Sequence, residues 1–157
     1  MEINWPRGYA EFYHDVQVHK TKILTGLVIA LDPSSGGSSQ PGFAIYRAGE
    51  LITSGELAIP KKSIYERLQL LHEQVSKLTP DVPDVFAIEE IRGQRFSHDY
   101  LKYAVGVSMA AARTTTILEV PINCWRALAK ADPHYIKGNA VDSELIGETV
   151  IRLARGE

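Results

Sequence analysis

The alternation of apolar and polar positions changes period several times along the chain, and each change marks an element. Leu27-Val28-Ile29-Ala30-Leu31 is a continuous apolar run that closes on Asp32, and Val85-Phe86-Ala87-Ile88 is a second that closes on Glu89. Short unbroken runs of this kind predict strands buried on both faces, over about 26–32 and 84–89. Two further strands are predicted at about 42–47 and 50–58, with Ala48-Gly49 as the tight turn between them, so the first three strands form an antiparallel meander. Ser63 and Glu66 make a capping box, and Ile64, Leu68, Leu71, Val75 and Leu78 recur at helical spacing until Thr79-Pro80-Asp81-Val82-Pro83 stops the helix. A helix over about 97–113 carries Ala104, Gly106, Ser108, Ala110, Ala111 and Ala112, a composition suited to close packing on a sheet or on a second subunit. A fifth strand follows at 115–120, a short helix at about 123–130, and a last helix at about 140–154. Residues 1–22 show no clean period and read as an N-terminal arm. Its Trp5, Tyr9, Phe12 and Tyr13 are expected to pack back on the core, with a second subunit or a ligand as the other options. Residues 23–157 then form one α/β domain, in which the strands ending on Asp32 and Glu89 lie parallel under flanking helices.

Composition narrows the classes. A chain of 157 residues that is 45% hydrophobic suits one ordinary core. No apolar run approaches the roughly twenty residues that span a bilayer, and the start of the chain lacks the apolar core of a signal peptide. Cys124 is the only cysteine, which excludes an internal disulfide and fits packing beside Trp125. The expected setting is therefore cytoplasmic, with no membrane partner. Net charge is −2, yet between Ile91 and Lys137 seven basic residues face three acidic ones. That is either a solvated surface or the footprint of a polyanion.

An acid at the end of a buried strand is costly unless it is solvated, hydrogen-bonded or bound to a cation, so Asp32 and Glu89 point to one shared site. The crevice beyond the carboxyl ends of parallel strands is where open α/β sheets hold ligands. Asp142 shares a helix face with Leu145, Ile146 and Thr149 and is expected to face the sheet as a third acid. A capping role is the alternative, with Asn139 as N-cap and Asp142 at N3. Glu144 and Glu148 are expected in solvent, and Glu90 on the opposite face from Glu89. Hard oxygen donors without His or Cys suit Mg²⁺ or Mn²⁺. Two such ions about 4 Å apart promote in-line hydrolysis at phosphorus, with Asp32 the expected bridge.

The ordered set of motifs resembles the RuvC-type Holliday junction resolvases. Ile29-Ala30-Leu31-Asp32-Pro33-Ser34 with Gly42-Phe43-Ala44-Ile45 is similar to their first motif, and Phe86-Ala87-Ile88-Glu89-Glu90 to their second. Val120-Pro121 and the Asn139-Ala140-Val141-Asp142 helix follow in family order, so the likeness covers about residues 26–154. It implies an RNase H-like fold with a mixed five-stranded sheet, and a homodimer that nicks four-way DNA junctions in pairs with Mg²⁺ or Mn²⁺, in a bacterial cell or a phage-infected host. It places Asp32, Glu89 and Asp142 at catalytic and metal-binding positions, and Asn139 at a fourth where the family usually has Asp or another ligand such as His. Asn139 is then either a natural neutral ligand or an inactivating change, and a charge there is expected to strengthen cation binding. Arg92 stands where the family often has an aromatic wedge. Phe96 either takes that role or staples the following helix. Arg92, Arg95, Lys130 and Lys137 are the expected DNA contacts.

Two other readings fit parts of the same sequence. The loop after Asp32 also resembles the first phosphate loop of actin-like ATPases and sugar kinases, but those proteins need a second domain of similar size. A catalytically silent junction-binding protein is the other, suggested by Asn139.

Overall fold

The computed structural model describes residues 2–33, 40–60, 63–91 and 99–157. Five strands form one sheet: β1 (Leu27–Asp32), β2 (Gly42–Arg47), β3 (Glu50–Glu56), β4 (Val85–Glu89) and β5 (Ile117–Val120), in the order β3-β2-β1-β4-β5. β1 to β3 are the antiparallel meander, and β4 and β5 continue the sheet parallel to β1. Ala48 and Gly49 turn the β2–β3 hairpin with φ of 52° and 78°, the left-handed pair that a two-residue loop of this twist requires.

Because side chains alternate along a strand, each strand serves two cores. Leu27, Ile29, Leu31, Ile45, Phe86 and Ile88 meet helices α3 (Ile64–Ser76) and α4 (Asp99–Ala112). Val28, Ala30, Ala44, Tyr46, Val85 and Ala87 face helices α5 (Ile122–Ala131) and α6 (Asn139–Arg155). The result is a three-layer α/β/α sandwich with a mixed sheet, as the apolar runs require.

Ser63 caps α3 as the sequence predicts: its side chain accepts from the Glu66 backbone N–H. The small residues of α4 divide between two environments. Ala104, Ser108, Ala111 and Ala112 are buried, whereas Gly106 and Ala110 are exposed.

Where the sequence shows no regular element at its start, two helices form, α1 (Ala10–Val18) and α2 (Lys20–Thr25). Only Phe12 and Val16 of α1 are buried, so its apolar stripe is too narrow to register as a period. Trp5, Tyr9 and Tyr13 are partly buried against the α5–α6 core. The Trp5 indole donates to the Glu157 carbonyl at 2.8 Å and the Gln17 amide to the Leu153 carbonyl at 2.9 Å, so this segment grips the far end of α6. Among the described residues no helix is long and apolar enough to cross a membrane.

Candidate active site

Leu31 of β1 lies opposite Ile88 of the parallel β4, so the residues that follow, Asp32 and Glu89, emerge side by side at one edge of the sheet. Both belong to the alternating set that faces α6. Gly42 is the register partner of Asp32 on β2. A Cβ on Gly42 would lie 1.9 Å from the Asn139 carbonyl oxygen, so the missing side chain is what lets the first turn of α6 rest on the strand ends. Further along, a Cβ on Gly147 would strike the Tyr46 ring at 2.3 Å. The Tyr46 hydroxyl donates to the Glu144 carbonyl at 2.8 Å. α6 is therefore seated on β1 and β2 by two glycines and a tyrosine, and it brings Asp142 to Asp32 and Glu89.

Asp32 is 6% exposed and Asp142 4%. Burial is the main force raising the Asp32 carboxyl, to about 9; the Glu89 charge, a hydrogen bond with Glu89 and the Asp142 charge add to it, while Lys137 pulls back. Glu89 is raised as well, chiefly by burial, against the lowering effects of its bond to Asp32 and of Arg126. A buried and a half-buried carboxyl in contact cannot both ionise cheaply, and sharing one proton is the least costly arrangement without a cation. Asp142 is held differently: the Tyr135 hydroxyl donates to its Oδ1 at 2.6 Å. Burial first, and then this bond, raise the phenol to about 12, so it remains a donor at neutral pH. With Asp32 bonded to Glu89 and Asp142 to Tyr135, no three His, Cys, Asp or Glu side chains among the described residues are closed around a single ion position. Asp32, Glu89 and Asp142 are nevertheless the residues able to hold a hard cation here, since Asp32 and Asp142 are buried oxygen donors, Glu89 is a half-buried one, and the repulsion among them is what a cation relieves.

The remaining expectations resolve unevenly. The N-cap of α6 is Gly138, which makes Asn139 the first helical residue and rules out the capping arrangement. Its side-chain amide instead donates to the Gln40 carbonyl, tying the start of α6 to the chain entering β2. Lys137 is exposed, but its charge is felt at Asp32. Lys130 lines a cleft of about 580 Å³ with Asn123 and Arg126 of α5 and with Glu2 and Asn4. Arg92, Arg95 and Phe96 lie outside the described residues.

Glu144 does not stand free in solvent, because the Ser54 hydroxyl donates to it at 2.7 Å. Glu90 follows the end of β4, where its backbone N–H still donates to the Val120 carbonyl at 2.9 Å, and it lines a cleft with Tyr9, Pro121 and Arg126. Tyr135 and Arg126 are the site neighbours that sequence reasoning missed. The Asp132-Pro133 turn before Tyr135 was the available signal for the first. Nothing in the pattern of α5 distinguishes Arg126 from any other surface arginine.

No protein-family model and no curated protein matches the chain. Solved structures do. A structure of T. thermophilus RuvC in complex with Holliday junction substrate superposes with a TM-score of 0.64 at 17% identity, covering 83% of this chain and 95% of that one. A second Thermus thermophilus RuvC structure gives 0.50 at 18% identity, covering 83% and 93%. The chain has the RuvC-type resolvase fold, an RNase H-like architecture.

Proposed function

We propose that this protein is a structure-selective endonuclease that resolves four-way DNA junctions by paired, metal-dependent phosphodiester hydrolysis. The observation that carries the reading is the convergence of Asp32, Glu89 and Asp142, each brought by a different element, at one buried edge of a fold seen elsewhere on a Holliday junction. Asp32, Glu89 and Asp142 would hold Mg²⁺ or Mn²⁺, with two ions as the working number. When bound, such ions supply Lewis-acid activation of water and charge stabilisation at the leaving 3′ oxygen.

The chain's own contribution is placement. Lys137 sits within electrostatic reach of Asp32 and can meet the phosphate next to the acids, with Lys130 and Arg126 continuing a basic path along α5. Symmetric cutting requires two sites related by a two-fold axis, so a homodimer is part of the proposal. The outward face of α4, with Tyr103 56% exposed beside Gly106 and Ala110, is the proposed contact.

Asn139 bears on the silent-binder alternative. Its amide nitrogen donates to the Gln40 backbone carbonyl, a bond that an ionised aspartate cannot make. The enzyme proposed here works with three acids, Asp32, Glu89 and Asp142. A labelled four-way junction incubated with Mg²⁺ or Mn²⁺ tests the assignment. Paired nicks are expected from the natural chain. Asp32→Asn and Glu89→Gln should each lose at least about a thousandfold in rate while binding the junction in EDTA, because phosphate contacts dominate affinity. Retained nicking in both variants, or none with the natural chain, overturns it.

A further inference from the structure

Tyr135 lies on the loop between α5 and α6, outside every strand and helix, yet its hydroxyl is placed on a buried carboxylate. The loop is built to put it there. Asp132 closes a turn on itself: its Oδ1 accepts from the His134 backbone N–H at 2.8 Å, and its carbonyl accepts from the Tyr135 N–H at 3.2 Å. Pro133 presets the backbone between them. Tyr135 is half-buried while its neighbours Pro133, His134 and Ile136 are exposed, so this turn points one side chain of its group inward. Two residues on, Lys137 brings its charge to Asp32.

We infer that Tyr135 is the positioning residue for Asp142, fixing the orientation in which that carboxylate meets a divalent cation. The inference rests on the function proposed above. A hydrogen bond to Oδ1 commits one oxygen and leaves the other for the ion, so that Asp142 need not be ordered when the cation arrives. Carboxylate ligands are commonly oriented by such outer partners, whose removal costs about 10–100-fold in metal affinity. A residue serving only to close the loop would not have to reach the acid cluster, since the Asp132 turn already closes it.

The test is calorimetric titration of Mn²⁺ into the unaltered 157-residue chain and into Tyr135→Phe, Asp132→Ala and Asp32→Asn, with Tyr65→Phe, an exposed tyrosine on α3, as control. Tyr135→Phe should weaken Mn²⁺ binding about tenfold. Asp132→Ala should weaken it less and in the same direction, because it loosens the turn but keeps the hydroxyl. The metal concentration giving half-maximal nicking should rise in parallel, with thermal melting in EDTA confirming that the variants are folded. Unchanged or tighter Mn²⁺ binding by a folded Tyr135→Phe overturns the inference and leaves the proposed function standing. A natural chain that binds no Mn²⁺, or binds it equally well after Asp32→Asn, overturns both.

Discussion

The two faces of the sheet are packed on opposite plans. Under α3 and α4 the strands present Leu27, Ile29, Leu31, Ile45, Phe86 and Ile88, large side chains that meet Leu71 and Val75 of α3 and the buried alanines of α4. Under α5 and α6 they present Ala30, Ala44, Ala87 and Gly42 among the larger Val28, Tyr46 and Val85, and at Gly42 the helix comes down close enough for its backbone to fill the space of a missing methyl. Bulk buries apolar area and stabilises the fold. Smallness gives up some of that area and gains position, and the three acids are all on the close-packed side. Both surfaces carry a core, and the acids stand at the edge of the one whose helix sits closest, one residue away in sequence from the bulky side chains of the other.

One pair of substitutions would break this comparison most directly. Phe86→Ala opens a cavity on the bulky face and should cost about 3–5 kcal/mol in denaturant unfolding, while the metal dependence of nicking in the surviving folded fraction should not move. Gly42→Ala should cost less, about 1–3 kcal/mol as an overpacked contact, yet lower nicking by around a hundredfold, because the turn carrying Asp142 must lift. If the Gly42 variant lost stability and activity in proportion, or the Phe86 variant shifted the metal curve, the division of labour would be wrong.

A smaller effect sharpens the electrostatic half. Asp32 and Glu89 have carboxyl pKa values raised by folding, so the folded state holds protons that the unfolded chain releases. Stability in EDTA should therefore fall as pH rises from about 4 toward 9, the steepest loss coming where Asp32 gives up its proton. Asp32→Asn should flatten the slope and be the more stable protein at pH 8 without metal. Urea melts at pH 5, 7 and 8, with EDTA or with Mg²⁺, read this directly, and a slope that Mg²⁺ leaves untouched would detach the acids from the cation.

The smallest expected change is at Asn139. Asn139→Asp exchanges a donor for a charge against the Gln40 carbonyl and should lower stability by about 1 kcal/mol without accelerating cleavage in Mg²⁺. A large gain in rate would place the side chain among the metal ligands after all.

Much of this was legible in the sequence for simple geometric reasons. Two apolar runs ending on acids, laid parallel, must bring Asp32 and Glu89 to one edge, and the spacing of Asp142 with Leu145, Ile146 and Thr149 turns it inward. What period alone does not encode is contact between distant segments. The arm's helices bury too few residues to show a stripe. The Asn139 amide looks like a cap until the carbonyl of Gln40, far away in sequence, is seen beside it. Tyr135 sits in a loop, where patterning carries no directional information. Strand ends shifted by a residue or two, as at β3 and β5, because pairing rather than composition ends a strand.

The grip of the N-terminal segment on α6 bears on the order of folding. Trp5 and Glu157 meet across 152 positions of chain, and Gln17 and Leu153 across 136. Contacts of such span form late, because the intervening loop must close before they gain anything. The helix that carries Asp142 is thus pinned at its far end only after residues 153–157 reach the arm. The arm therefore clasps a helix that Gly42, Gly147 and Tyr46 already seat on the sheet, and what it adds is a hold on the end of α6 opposite Asp142.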